Sequence, residues 1–251
     1  MRVAALYDIH GNLPALEAVL EAIARAKVDR VVVGGDLFPG PMPLETLARL
    51  QALDMPVHFI RGNGDREVLA CMAGRETEWY RAAPDKWREP VRWTAQQLQG
   101  EHEQLLASWP ATLRLEIGDL GPVLFCHATP RDDNEIFTRA TPEQCLRPIF
   151  EGHDAALVVC GHTHMQFDRT IGTTRVVNAG SIGMPFGAAG ADWLLLGPGV
   201  ELQHTAYDLA EAARRIRQTA YPQAAEFADR NVLHPPSAEE TPAAYARVEL
   251  K

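Results

Sequence analysis

Apolar and polar positions form two kinds of segment along the first 60 residues. Short apolar runs at 3–7, 30–33 and 57–60 are typical of buried strands. Between them, apolar residues recur every three or four positions over 13–23 and 44–50, as in helices with one buried face. Strands separated by helices predict right-handed βαβ units and a parallel sheet.

The segment 66–110 has a different character. It shows no clear strand pattern, and four tryptophans stand among its charged residues. They are Trp79, Trp87, Trp93 and Trp109. We interpret the segment as a helical insertion that covers one side of the functional site. We expect the tryptophans to pack in its core rather than to form a platform for stacking bases.

Six further apolar runs predict strands after Pro110. They lie at 113–117, 123–126, 156–160, 175–178, 193–196 and 201–207. Short glycine-containing connections between the last of them suggest a partly antiparallel arrangement. Two packed sheets with outer helices fit this order better than one open sheet.

The predicted domain therefore covers residues 1–208, with the insertion at 66–110. An alanine-rich helix is expected over 208–220, at the start of a C-terminal part that spans 209–251. Beyond Tyr221 the pattern fades into prolines and acidic residues, which predicts a surface arm.

Composition excludes several classes of protein. The 251 residues are 46% hydrophobic, enough for one large domain with a real core. A net charge of −9 argues against broad electrostatic binding to nucleic acid, and hence against a nuclease. Four cysteines without a CxxC pair, no signal-peptide pattern and no apolar run near the roughly 20 residues of a membrane span predict a cytoplasmic protein that does not enter membranes.

Polar side chains of metal-binding type follow five of the predicted strands. The segments are Asp8-Ile9-His10-Gly11-Asn12, Gly34-Gly35-Asp36, Gly62-Asn63-Gly64-Asp65, His127, and Gly161-His162-Thr163-His164. Because the carboxyl ends of strands in an α/β sheet converge on one crevice, these groups can meet although they are distant along the chain. One such Asp would more often cap a helix, and one such His would more often be structural. Their joint occurrence indicates a site.

Seven of these residues are the candidate ligands. They are Asp8, His10, Asp36, Asn63, His127, His162 and His164. In extended backbone, residues two apart project to the same side, so Asp8 with His10, and His162 with His164, are expected to present two donors to one region.

The donor types indicate transition metals. Imidazole nitrogens with carboxylate oxygens suit Mn, Fe, Zn, Co or Ni, and four histidines disfavour a calcium site. Seven groups are too many for one tetrahedral ion and suit two ions about 3.5–4 Å apart that share a carboxylate. Asp36 is the best bridge, because each carboxylate oxygen can bind a different ion. Two divalent ions would supply the positive centre that an acidic protein needs to bind a phosphate.

These motifs resemble those of the calcineurin-like metallophosphoesterase superfamily, over residues 1 to about 205. The segments His127-Ala-Thr-Pro-Arg131 and Asn178-Ala-Gly-Ser-Ile-Gly183 are similar to its small bacterial and archaeal phosphodiesterase branch, which includes diadenosine tetraphosphatase-like proteins. The resemblance implies a four-layer αββα sandwich with two mixed sheets and a helical insertion. It implies hydrolysis of a small phosphorylated substrate, a diester or a monoester, by a metal-bridging hydroxide.

The resemblance also implies a distribution of the candidate ligands between the two ions, with manganese as the first choice of metal. One ion would be held by Asp8, His10, Asp36 and His164. The other would be held by Asp36, Asn63, His127 and His162. Asp36, Asn63 and His127 are accordingly expected in the catalytic machinery.

One position departs from the family pattern. Many members carry a histidine where this chain has Gly64, and that histidine is thought to protonate the leaving group, a contribution of about 10²–10⁴-fold for a positioned acid. A glycine there would open the pocket. Arg131 is expected to bind a phosphate oxygen, with a surface ion pair as the alternative. Asn12 is expected to orient either the substrate or the groups behind the metal ligands.

One other function stays open at this point. A binding or scaffold protein of the same fold, such as the retromer scaffold subunit of this superfamily, would explain the missing histidine. The intact set of candidate ligands opposes it, since a scaffold has no need of a buried charged cluster. A homo-oligomer is also possible.

Overall fold

The computed structural model describes residues 1–237, and its strands form two five-stranded sheets. In chain order the strands are β1 Val3–Leu6, β2 Arg30–Val33, β3 Val57–Phe59, β4 Thr112–Glu116, β5 Pro122–Cys126, β6 Leu157–Cys160, β7 Phe167–Ile171, β8 Thr174–Asn178, β9 Ala191–Leu196 and β10 Val200–Thr205. The first sheet has the order β10-β9-β1-β2-β3, and the second has the order β4-β5-β6-β8-β7. Both sheets are mixed, because β1, β2 and β3 run parallel, as do β5, β6 and β8, whereas the other pairings are antiparallel.

Helices cover the outer faces of both sheets. They are α1 Leu13–Ala26, α2 Pro43–Gln51, α3 Asn63–Met72, α4 Glu78–Ala82, α5 Asp85–Gln97, α6 Gly100–Ser108, α7 Glu143–Phe150, α8 Leu209–Arg217 and α9 Ala224–Phe227, with a 3-10 turn at Gly118–Leu120 and a π-helix at Ala228–Leu233. This arrangement confirms the predicted αββα sandwich. None of the helices within residues 1–237 has the length and apolar character to cross a lipid bilayer.

A hydrophobic core lies between the two sheets. Alternate residues of β1, among them Val3 and Ala5, face the second sheet and pack against Phe125 and Val159. Tyr7, just after β1, is fully buried and donates its hydroxyl to the Val159 carbonyl of the other sheet at 3.0 Å. The two sheets are thereby joined close to the ends of β1 and β6.

The segment between β3 and β4 is helical throughout and contains α3 to α6. Trp109 is its deeply buried tryptophan, with 4% exposure, and its ring stacks on that of Phe59 at 4.9 Å between centroids. Trp79 and Trp87 are instead exposed, at 38% and 53%. The expectation of a common tryptophan core is therefore wrong for these two residues.

The sequence patterns missed one strand, β7. It lies at the edge of the second sheet and pairs only with β8, and its central residues, Asp168 to Thr170, are polar. An edge strand with solvent on one side needs no continuous apolar run, so its hydrophobic signal is weak.

The surface arm expected beyond Tyr221 is wrong for residues 221–233. Tyr221, Phe227 and Val232 are buried and pack against α8 and against Leu13, near the start of α1. Apolar residues in short helices cover one end of the domain there, although proline and acidic residues dilute the pattern in the sequence. The remainder of the predicted arm, residues 238–251, lies outside the described part of the chain.

Candidate metal centre

The seven candidate ligands follow five strands at one end of the two sheets, six of them in loops and Asn63 at the first position of α3. Asp8 and His10 follow β1, Asp36 follows β2, Asn63 follows β3, His127 follows β5, and His162 and His164 follow β6. The parallel register of β1 with β2, and of β5 with β6, carries these loops to a common edge. The convergence expected from the strand pattern therefore occurs, across both sheets.

Asp8 stands at the middle of the cluster. Its side chain is fully buried, and its Oδ1 atom lies 3.3 Å from His164 Nε2, 3.9 Å from His127 Nε2 and 4.0 Å from His10 Nε2. Its other oxygen, Oδ2, accepts a hydrogen bond of 2.8 Å from the backbone N–H of His162. One carboxylate oxygen thus faces three imidazoles while the second fixes the loop after β6.

Asp36 faces two of the same histidines with different oxygens. Its Oδ2 lies 3.8 Å from His10 Nε2, and its Oδ1 lies 3.5 Å from His127 Nε2. Asn63 Oδ1 lies 3.0 Å from His127 Nε2 on the same side. Two groups of donor atoms lie close enough together to hold an ion: Asp8 with His10 and His164, and Asp8 with Asp36 and His127. Asp8 is common to both groups, and Asp36, the carboxylate expected to be shared, turns one oxygen toward a histidine of each group, His10 and His127.

The far side of three imidazole rings is fixed by backbone carbonyls. The Nδ1 contacts are His10 to Pro39 O at 3.3 Å, His127 to Gly34 O at 3.0 Å and His164 to Met184 O at 2.9 Å. Because a carbonyl oxygen only accepts, each Nδ1 carries a proton, and Nε2 is the ring nitrogen that each histidine turns toward Asp8. Metal-binding histidines are commonly oriented in this way.

Two further features indicate that a cation would stabilise the cluster. His10 Nε2 lies 3.3 Å from His164 Nε2, so two ring nitrogens face each other. Among residues 1–237, the buried atoms Asp8 Oδ1 and His162 Nε2 have no hydrogen-bond partner. Unpaired buried acceptors are costly unless a proton or a metal ion satisfies them. The donor set, nitrogen and oxygen without sulfur, fits divalent transition-metal ions.

Burial and neighbouring charges shift the pKa values of four groups in the cluster. Burial lowers the pKa of His10 and of His162 to about 3, so both rings are neutral near pH 7. For Asp8, the effect of burial is outweighed by the nearby imidazoles, of which His164 acts most strongly, and its pKa is lowered. Burial and the charge of Asp8 raise the pKa of Asp36. Neutral imidazoles beside crowded carboxylates form a site that a divalent cation would relieve.

The backbone at the cluster is strained. Of the six non-glycine residues with positive φ in the described part of the chain, five are candidate ligands. They are Asp8 (53°), His10 (46°), Asp36 (51°), His162 (66°) and His164 (58°). Such conformations cost about 1–2 kcal/mol per residue and cluster at functional sites. The expectation that Asp8 with His10, and His162 with His164, meet through extended backbone is therefore wrong: left-handed turns bring them together.

Asp65 holds the loops that carry Asp36 and Asn63. It is fully buried and accepts backbone hydrogen bonds from Asp36 N at 2.8 Å, Gly62 N at 3.0 Å and Phe38 N at 3.0 Å. A Cβ at Gly62 would lie 2.2 Å from Asp36 Oδ1, so only glycine allows this approach.

Gly64 does not open the pocket, contrary to the expectation from the sequence. Its N–H donates to Asp36 Oδ1 at 2.7 Å, and a Cβ on it would lie 2.4 Å from the carbonyl oxygen of Phe38. The space where a side chain would begin is filled by backbone. A side chain at this position would therefore collide with the loop after β2.

Two residues expected at the reaction centre are engaged elsewhere. Asn12 is fully buried; its Oδ1 caps α1 by accepting from Ala15 N at 3.3 Å, and its Nδ2 donates to the Gly183 carbonyl at 3.1 Å. Both ends of the Asn12 amide bind backbone, which disfavours a contact with substrate. Gly183 in turn donates its N–H to the Asp8 carbonyl at 3.0 Å, which fits the alternative that Asn12 orients groups behind the ligands. Arg131 is paired with Glu135, with Nε at 3.0 Å from Oε1, as the surface ion-pair alternative supposed.

Two residues that the sequence did not mark as site residues lie beside the cluster. Arg66 and Trp79 line a cavity that His127 also lines. The only signal for them in the sequence was their position in the tryptophan-rich segment, which does not distinguish a cavity wall from a core.

The chain belongs to the calcineurin-like phosphoesterase superfamily, whose domain model matches residues 1–196. The metallophosphoesterase from Sphaerobacter thermophilus has a similar structure, with a TM-score of 0.68 and 25% sequence identity over 92% of this chain and 100% of that chain. This membership, together with the donor cluster, supports metal-dependent phosphoesterase chemistry.

Two archaeal proteins are also similar. The protein PH1004 from Pyrococcus horikoshii OT3 shares the fold, with a TM-score of 0.79 and 22% identity over 94% of this chain and 99% of that chain. The protein MJ0912 of Methanocaldococcus jannaschii is 29% identical over 167 residues. That alignment spans 66% of this chain and 63% of the relative's length.

Proposed function

We propose that this protein hydrolyses phosphate esters of small molecules at a centre of two divalent metal ions. Asp8, His10, Asp36 and His164 would hold one ion. Asp36, Asn63, His127 and His162 would hold the other. The observation that carries the proposal is the convergence of three Nε2 atoms on the unpaired Oδ1 of Asp8, with each opposite Nδ1 bound to a carbonyl.

Divalent ions would supply Lewis acidity here, since they polarise phosphoryl oxygens and lower the pKa of water. The chain contributes orientation. The carbonyls of Gly34, Pro39 and Met184 fix the imidazole rings, and Asp65 and Gly64 position the carboxylate of Asp36. A centre held this rigidly places a phosphate without further ordering of side chains.

The strained ligand backbone favours an enzyme over the scaffold alternative. Five left-handed non-glycine residues in one cluster cost stability, and such strain is retained where function requires it. Gly64, the observation that had suggested a scaffold, is explained by the Phe38 carbonyl in the space beside it.

Manganese is the proposed metal, with Fe, Zn, Co or Ni as alternatives, because all accept mixed nitrogen and oxygen donors. Action in the cytoplasm on a small phosphorylated molecule is part of the same proposal. A homo-oligomer stays a prediction.

The test combines metal analysis with turnover. The purified protein should bind two equivalents of Mn²⁺ and hydrolyse bis-p-nitrophenyl phosphate. Asp36→Asn should lower the rate at least about 100-fold, because the shared carboxylate holds both ions. His162→Ala should lose one equivalent of metal and most of the activity while its circular dichroism spectrum stays that of a folded protein.

His234→Ala is the matched control, because this histidine is exposed and is not a candidate ligand. It should keep both metal equivalents and the full rate. Full activity in Asp36→Asn, or two bound metal ions in His162→Ala, would contradict the proposed assignment.

A further inference from the structure

A cavity of about 650 Å³ opens beside the metal centre. Its walls come from the start of α4 on one side and from the loop at 129–134 on the other, and His127 contributes to it. The volume is within the range that holds small organic ligands. Because His127 is also a candidate ligand, a phosphate bound at the centre would have its organic group next to this cavity.

Trp79 offers an aromatic surface in the cavity wall. Its side chain is 38% exposed, although a tryptophan of this segment can be buried, as Trp109 is at 4%. Trp87, on α5, is also exposed, at 53%, with the Lys86 ammonium 5.1 Å from its ring centroid. An indole in the wall of a cavity can stack on a planar group of a ligand.

The helix that carries Trp79 is anchored to the helix that begins at Asn63. Thr77 caps α4 by accepting from Tyr80 N at 3.0 Å, and its hydroxyl donates to the carboxylate of Glu67 on α3. Glu67 is 3% exposed and also accepts from Arg66 Nη1 at 2.6 Å. The indole is thus positioned by buried polar contacts that lead back to the metal centre.

The charges around the cavity limit what it can bind. Two arginines and three carboxylates line it: Arg66, Arg131, Glu78, Asp132 and Asp133. Arg66 forms a bidentate ion pair with Asp133, with Nε 2.9 Å from Oδ2 and Nη2 3.0 Å from Oδ1, and Arg131 is paired with Glu135. The walls therefore carry no surplus of positive charge, and a chain of several phosphates would meet carboxylates there.

We propose that this cavity receives an uncharged planar group, aromatic or heteroaromatic, of an ester that bears a single phosphate, and that the group stacks on Trp79. The inference rests on the proposed function for the position of the phosphate. Trp79 is then a residue that determines specificity, and substrates with polyphosphate chains are excluded.

Binding of phosphonates to the Mn²⁺-loaded protein tests the proposal, since their phosphorus–carbon bond is not hydrolysed at such a centre. Isothermal titration calorimetry would compare benzylphosphonate with ethylphosphonate. Trp79→Ala should weaken benzylphosphonate about 5- to 100-fold, the range for loss of one aromatic stacking contact, and leave ethylphosphonate almost unchanged. Trp79→Phe should retain most of the preference for the ring. Trp87→Ala is the control and should bind both ligands as the unmodified protein does.

A third ligand tests the charge argument. We expect 4-carboxybenzylphosphonate to bind about 2- to 5-fold more weakly than benzylphosphonate, because its carboxylate approaches Glu78 and Asp132. Equal preference for the ring in Trp79→Ala and in the unmodified protein, or tighter binding of the carboxylated ligand, would overturn the proposal. Because these ligands report binding without turnover, a protein that binds them as expected but hydrolyses nothing refutes only the proposed function. Hydrolysis without any dependence on Trp79 refutes only this inference.

Discussion

Replacing Gly64 by alanine separates two opposing effects whose sizes follow from the structure. Gly64 is the second residue of α3, where alanine would ordinarily gain about 0.5–1 kcal/mol over glycine. The new Cβ, however, would lie 2.4 Å from the Phe38 carbonyl oxygen, whereas ordinary contact begins at 3.4 Å. The backbone must therefore separate by about 1 Å, and overpacking of this kind costs about 1–3 kcal/mol.

The Phe38 carbonyl has little freedom to retreat, because the N–H of Phe38 is bound to Asp65 Oδ1 at 3.0 Å. We expect Gly64→Ala to lower the free energy of unfolding by about 1–2 kcal/mol, measured by urea denaturation followed by tryptophan fluorescence. Displacement of the Gly64 N–H from Asp36 Oδ1 should also lower kcat about 10- to 100-fold. Gly64→His should be destabilised too, without any gain in activity.

Gly100→Ala is the matched control for this experiment. Gly100 is the first residue of α6, and a Cβ on it would have open space within 4 Å among the described residues. Stability there should be unchanged or rise by up to about 1 kcal/mol. The reasoning is refuted if Gly64→Ala is as stable as Gly100→Ala, or if Gly64→His is more active than the unmodified protein.

Two further predictions concern the buried polar groups. Asp65→Ala leaves three buried N–H groups without their acceptor, so it should lower the free energy of unfolding in urea by about 3 kcal/mol or more. Asp54→Ala, at an exposed position, is the control and should change it by no more than about 0.5 kcal/mol. A loss below about 1 kcal/mol for Asp65→Ala would contradict the role of Asp65 in holding the loops. In the metal-free protein, the unfolded chain binds more protons than the folded one between the ordinary histidine pKa of 6.5 and the folded value of about 3 for His162, so stability should fall as the pH drops through that window. His162→Gln should flatten the dependence of stability on pH, and His234→Gln should not. The urea midpoint, measured between pH 4 and 8, reports this dependence. Equal slopes in both variants would contradict the assignment of the pH dependence to His162.

The sequence alone was enough to place the candidate metal centre at one end of the fold. Each of the five motifs follows its own short apolar strand. A strand with Asp, Asn or His after its carboxyl end can be recognised in the sequence without knowing which strand it pairs with. Alternating strands and helices over residues 1–60 then predicted parallel β1, β2 and β3, and the structure confirms them. The donors could therefore be named before any pairing was known.

Contacts between distant segments decided the rest. Asn12 has the side chain of a substrate-orienting residue, but the Gly183 carbonyl, 171 residues away, takes its amide. The absence of a side chain at Gly64 suggested open space in the pocket, yet the Phe38 carbonyl occupies that space. Such facts depend on which backbone atoms approach each other in three dimensions, and the identity of a single residue carries no record of them.

The tertiary structure also sorted residues that look alike in the sequence. Trp79, Trp87 and Trp109 stand in one segment, yet one lines a cavity, one faces solvent and one is core. The left-handed backbone at five candidate ligands is likewise invisible in the sequence, because Asp and His have no intrinsic preference strong enough to impose it. Packing of the two sheets holds these residues in place, so the sequence determined which groups are the candidate ligands and the assembled sandwich determined their geometry.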